Sequence, residues 1–202
     1  DERLWVAHNR GVSHARQSPM FMAYDDLTHG VPTPVNAFLI DDRGRYWLGG
    51  DQELVVFDPD QASVARTYNV ENTGAILEDL NILAAFQTST NEKFFGSYTK
   101  GLIRYLPETD QFKEYTHDPE RPLSSLAGSD VRSMAEDSLG RIWIICHGHG
   151  ISRLDPDTEA MVTFEIKASD AASMAGLWIF DLDVDTDGSL WFSYPMGNYN
   201  CD

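Results

Sequence analysis

At 202 residues the chain is long enough for one domain with a sizeable core, and its 42% apolar and 11% aromatic content is that of a folded, soluble protein. Its 32 acidic residues against 15 Lys and Arg leave a formal charge of −17, which repels nucleic acid and anionic membrane and excludes both as partners. No apolar run approaches the roughly 18 residues that crossing a bilayer takes, so no direct membrane contact is expected of this segment.

The first residue is Asp1 and no signal-peptide pattern precedes it, which predicts a processed product or an excised piece. Five Trp, eight Tyr and ten Phe tilt the chain towards β structure. Cys146 and Cys201 make no disulfide framework; buried or idle thiols are expected, with a single bridge left open.

In chain order, residues 1–34 hold a partial unit around Trp5 that lacks an innermost strand. In residues 35–81 four alternating stretches, "VNAFLID", "RYWLGG", "LVVFD" and "VARTYNV", are separated by turn residues and predict four strands. Residues 82–130 repeat the order with "ILAAFQT", "KFFGSY", "LIRYL" and "FKEYT". Residues 131–178 do so with "VRSMAED" (Val131–Asp137), "RIWIICH" (Arg141–His147), "ISRLD" (Ile151–Asp155) and "MVTFEI" (Met161–Ile166). The last unit, 179–202, supplies two strands from "IFDLDVDTDGSLWFSYP" and is partial. No segment keeps a 3.6-residue period, so helix is expected to be nearly absent.

Trp5, Trp47, Phe94, Trp143 and Trp191 recur at steps of 42, 47, 49 and 48. Three residues before the last four stand Gly44, Asn91, Gly140 and Gly188; six before stand Asp41, Thr88, Asp137 and Asp185. Four short hairpin-joined strands at a fixed period are the footprint of a β-propeller blade, whereas a β-sandwich needs no such period. The WD40 form is disfavoured, since no copy opens on Gly-His or closes on Trp-Asp. Gly permits the chain reversal, Asp can serve turn amides, and the indole is expected to fill the wedge between adjacent blades. The fold class is therefore all-β: a propeller fragment of four-stranded antiparallel blades, three complete and one partial at each end. Rings hold about four to eight blades, so the natural protein is expected to continue on both sides. Open blade edges make self-association an expected property of the isolated piece.

The stretch "HDPERPLSSLAGSDVRSMAEDSLGRIWIICHGHGISRLDPDT" (His117–Thr158) resembles the two-component regulator propeller repeat, with its "EDSxGxxWI" and "GxxRxDP" phrases. Asp137, Gly140, Trp143, Gly150, Leu154 and Asp155 stand where that repeat has them. The copy at Trp47 departs at Glu53 and Leu54, the copy at Phe94 replaces Trp and Gly, and the last departs at "PMGNYN". The resemblance implies the extracytoplasmic, periplasmic sensing region of a bacterial membrane receptor. A transmembrane helix and a cytoplasmic histidine kinase or diguanylate cyclase would lie outside this chain. It also implies sensing of a small molecule or oligosaccharide rather than catalysis by this region.

Loops between second and third strands, and between fourth and first, share one face of a four-stranded blade with the channel mouth, where binding residues concentrate. They include "GGDQE", "GSYTK", "CHGHG" and "YPMGNYN". Tyr98, Lys100, His147, His149, Asn198 and Tyr199 are the candidate ligand-binding residues, able to stack on and hydrogen-bond a sugar. Cys146, His147 and His149 are metal-ligand types, but three within four residues of one hairpin do not make a tetrahedral site unaided, and no metal or cofactor is assigned. "DVDTDG" (Asp183–Gly188) copies the opening of a calcium loop, yet position twelve is Tyr194 rather than Glu. No nucleophile elbow or phosphate loop is present, so no catalytic residue is assigned. Two further readings stay open. One is a streptogramin-lyase-like propeller enzyme built on His147 and an acidic partner; the other is a protein-binding scaffold.

Overall fold

The computed structural model describes residues 4–8, 11–15, 21–24, 29–74, 81–164, 179–194 and 197–201, and these are dominated by short strands. Contacts divide the chain into two compact units, Asp1–Ala85 and Phe86–Asp202. The first holds a three-stranded sheet of β1 (Leu4–His8), β2 (Gly11–Ala15) and β3 (Phe21–Tyr24). It also holds a four-stranded sheet of β4 (Ala37–Ile40), β5 (Tyr46–Gly49), β6 (Glu53–Asp58) and β7 (Ser63–Asn69), followed by one helical turn, α1 (Val70–Thr73). The boundary falls inside β8 (Ile82–Gln87), whose sheet continues through β9 (Lys93–Ser97), β10 (Leu102–Leu106) and β11 (Gln111–Tyr115). The second unit goes on to β12 (Val131–Glu136), β13 (Ile142–Cys146), β14 (Gly150–Leu154) and β15 (Met161–Phe164). Its last sheet is β16 (Asp181–Val184), β17 (Leu190–Tyr194) and β18 (Gly197–Cys201).

The strands of the three complete repeats fall within a residue or two of where alternation and turn chemistry put them. β18 was not foreseen: a third strand pairs Tyr194 with Gly197 and Ser193 with Asn198, so the sheet extends past the point where the repeat pattern breaks. Backbone pairing asks for no particular side chain, which is why a departing sequence still adds a strand. Among the described residues, no helix is long and apolar enough to cross a membrane.

Sheets covered on both faces explain the near-continuous apolar runs. In the first unit Tyr46, Leu48, Val55 and Phe57 bury one face with Val31 and Val35, while Trp47, 2% exposed, lies on the other and stacks on Tyr68. In the second unit Ile142 and Ile144 fill one face of β13. Trp143 and Ile145 on the opposite face join Ala135 and Ile151 against Ile179, ahead of β16, and against Leu182 and Phe192 of the β16–β17 sheet. Trp143 is thus the wedge that the repeat predicted, seated between two consecutive sheets. Trp191 holds the same register one sheet later and remains 44% exposed.

The Asp of the repeat does more than serve the turn. Asp137 Oδ1 accepts from the backbone N–H of Leu139 and of Arg141, both at 3.0 Å, and Oδ2 accepts from the Trp143 indole Nε1–H at 3.0 Å and from Arg141 Nε at 2.7 Å. Asp41 repeats this with Arg43, Arg45 and Trp47. Burial alone would push both carboxyls up, but the indole, the amides and the guanidinium together hold them below their ordinary value. The copy at Phe94 shows why its Asp is dispensable. Phe94 has no N–H to satisfy, so Thr88 suffices: its hydroxyl accepts from the Glu92 amide at 3.0 Å and the same turn closes, with Asn91 at φ +69° where Gly140 has +75°. Glu92 occupies the arginine position, and the charge is swapped: it pairs with Arg104 from β10, whose guanidinium also lies 5.7 Å from the Phe94 ring centroid.

Candidate loop-face site

On one side of each unit, second-to-third-strand loops meet the connections that lead into first strands. In the first unit Asn36 donates to Asp51 at 2.9 Å and to Asn81 at 3.3 Å, and the Ile82 amide donates to the Gly50 carbonyl. In the second unit the Gly101 amide donates to the Ser129 carbonyl and the His147 amide to the Asp130 carbonyl at 2.7 Å.

Tyr98, 52% exposed, sits at the β9–β10 loop beneath the Arg132 guanidinium, whose carbon lies 6.0 Å from the ring centroid. Arg132 comes from a bulge in β12. Val131 opposes Cys146 and Ser133 opposes Ile145, so Arg132 is the extra residue and its side chain is re-aimed. Its Nε and one terminal nitrogen donate to the two oxygens of Asp130 at 2.8 and 2.9 Å, and these bonds raise its pKa further above the ordinary value. His147 is half-buried. Its Nδ1 donates to the Ile179 carbonyl at 3.3 Å and its ring lies 5.7 Å from that of Phe180, which is 47% exposed. Tyr98, Arg132, Asp130, His147 and Phe180 therefore form one chain of contacts. Two exposed aromatic faces, a fixed guanidinium and an imidazole can stack on a flat ring and hydrogen-bond its substituents.

The remaining candidates lie elsewhere. The Lys100 amide bonds Ser97 Oγ at 3.1 Å, and its ammonium lowers the carboxyl of Glu114, which burial pushes up by more. The exposed His149 ring packs on Gly128, where a Cβ would fall 2.6 Å from it. Asn198 and Tyr199, expected in a loop, are strand residues of β18 opposite Ser193 and Phe192; their side chains lie outside the described residues. Cys146 is a free, buried thiol pushed up to about 11, chiefly by burial. Cys201 lies in β18, its side chain outside the described residues. Among the described residues no three His, Cys, Asp or Glu side chains are grouped to hold a metal. In the calcium-like stretch Asp183, Asp185 and Asp187 accept from the amides of Val184, Thr186 and Ser189 respectively.

Arg132, Asp130 and Phe180 escaped the sequence reading, although the repeat register contained a signal. Eleven residues before each aligned aromatic stand Asn36, Leu83, Arg132 and Phe180; four after the first three stand Asp51, Tyr98 and His147. These positions differ from copy to copy while Asp, Gly and Trp recur, as loop-face residues do when the scaffold beneath them repeats.

Four-stranded antiparallel sheets stacked through an aromatic wedge define a β-propeller fragment. Within it, the family model described as the two-component regulator propeller matches residues 125–148, the lead-in and first hairpin of the sheet that carries Arg132 and His147. No curated protein matches the sequence. The chain is similar in structure to the extracellular domain of a hybrid two-component system from B. thetaiotaomicron, with a TM-score of 0.77 and 16% identity over 98% of this chain and 25% of that one. It is similar to a second such domain from the same organism, at 0.75 and 17% over 97% and 26%. It is also similar to virginiamycin B lyase from Staphylococcus aureus, at 0.70 and 14% over 99% and 66%. At these identities the likeness shows the fold. The chain spans about a quarter of the length of the two receptor domains.

Proposed function

We propose that this chain is part of the ligand-sensing propeller region of an extracytoplasmic bacterial signal-transduction receptor, responsive to an oligosaccharide and without catalysis of its own. The observation that carries the proposal is the joined loop-face cluster of Tyr98, Arg132, Asp130, His147 and Phe180. The match at residues 125–148 and the likeness to extracellular domains of hybrid two-component systems support the receptor setting. The test is an array of neutral, carboxylated and sulfated oligosaccharides, followed by calorimetry on hits. Loss of binding in Tyr98→Ala at unchanged unfolding midpoint supports the reading; an array with no hits overturns it.

The lyase reading rests on the likeness to virginiamycin B lyase. It needs an imidazole poised by an acid, whereas the Nδ1 of His147 is given to a backbone carbonyl. Turnover of a cyclic streptogramin by this chain, abolished in His147→Ala, would replace the sensor reading.

A further inference from the structure

We propose that the loop face of the second unit selects a ligand carrying a carboxylate, and that Arg132 is the residue that selects it; this rests on the sensor reading of the same site. A guanidinium has five N–H donors arranged along two edges that can each grip two oxygens. Asp130 occupies the edge made by Nε and one terminal nitrogen. The other edge, made by the two terminal nitrogens, takes no further hydrogen bond among the described residues, and the Arg132 side chain remains 31% exposed against 15% for Asp130. Asp130 therefore acts as a positioning residue. It fixes one edge of the fork and leaves the second pair of donors without a partner among the described residues.

The surroundings favour that use. The bulge in β12 carries the side chain out of the strand's alternation, and Tyr98 lies against it with half of its surface free. The corresponding positions are Asn36, which is held by Asp51 and Asn81, Leu83, and Phe180 just ahead of the last sheet. Among these four aligned positions the cation occurs once. A bidentate Arg–carboxylate pair is both stronger and more geometrically selective than a neutral hydrogen bond. A ring stacked on Tyr98 with a carboxylate substituent would engage both groups together. The overall charge of −17 disfavours anions at long range, so selection has to come from this short-range fork, and salt should weaken it little.

The experiment compares the chain with Arg132→Gln and Arg132→Lys against matched neutral, uronate-containing and sulfated oligosaccharides, with unfolding midpoints taken for each variant. Uronate binding that falls at least tenfold in Arg132→Gln and is only partly restored in Arg132→Lys supports the proposal. Hits confined to neutral sugars, with Arg132→Gln unchanged, overturn it and leave the sensor reading standing. Preference for sulfated over uronate ligands overturns the assignment of a carboxylate. An array with no hits removes the sensor reading, and this inference with it.

Discussion

Replacing Asp137 by Asn tests the explanation of the repeated turn. Asn keeps an oxygen for the amides of Leu139 and Arg141, but turns an N–H₂ towards the Trp143 indole and the Arg141 guanidinium, both donors. The indole, lodged against the next sheet, loses a charged acceptor, at a cost of about 1–3 kcal/mol. The guanidinium is 29% exposed and rehydrates, adding less than about 1 kcal/mol. The expected loss is therefore about 1–4 kcal/mol in denaturant unfolding followed by circular dichroism. Asp185→Asn is the control: its turn has Ser189 in place of the arginine and Trp191 is 44% exposed, so the loss should stay below about 1 kcal/mol. Equal losses in the two variants would refute the claim that the carboxylate acts by satisfying a partly buried indole.

Other consequences follow from the same contacts. Asp41 and Asp137 are held below the ordinary carboxylate value, so their stabilisation is full above about pH 4 and drains as pH falls through their folded-state values. An acid titration of stability should therefore be shallower in Asp137→Asn than in the parent. Thr88→Asp should destabilise by about 1–3 kcal/mol in the same unfolding assay, because the new carboxylate faces Glu92 and a phenyl ring instead of an arginine and an indole. Gly140→Ala, at φ +75° with the new carbon in ordinary contact with Glu136 Oε1 at 3.9 Å, should cost about 1–2 kcal/mol. Gly101→Ala, at φ +76° with the Tyr115 carbonyl 2.5 Å from the new carbon, should cost about 3 kcal/mol or more, and equal effects would contradict the packing. The Cys146 thiol should react with an aromatic disulfide at pH 8 only as fast as the protein unfolds; rapid labelling of the folded chain would contradict its burial.

By itself the sequence determined the strands, the turns and the period that makes them propeller blades. These are local matters: alternation sets which side chains share a face, and a positive-φ residue three before the aromatic sets where the chain reverses. It also placed Tyr98 and His147 in loops on one side of the sheets, because hairpin loops alternate between the two sides of a sheet. Only the tertiary structure decided what those side chains meet. The indole that Asp137 satisfies lies across a hairpin, and Arg104 answers Glu92 from a different strand. The bulge that re-aims Arg132 exists only as a mismatch between two paired strands, and the ring against His147 belongs to the connection into the next sheet. Pairing and packing energies depend on which segments come together in space, and a one-dimensional pattern carries them only as blanks between its repeated letters.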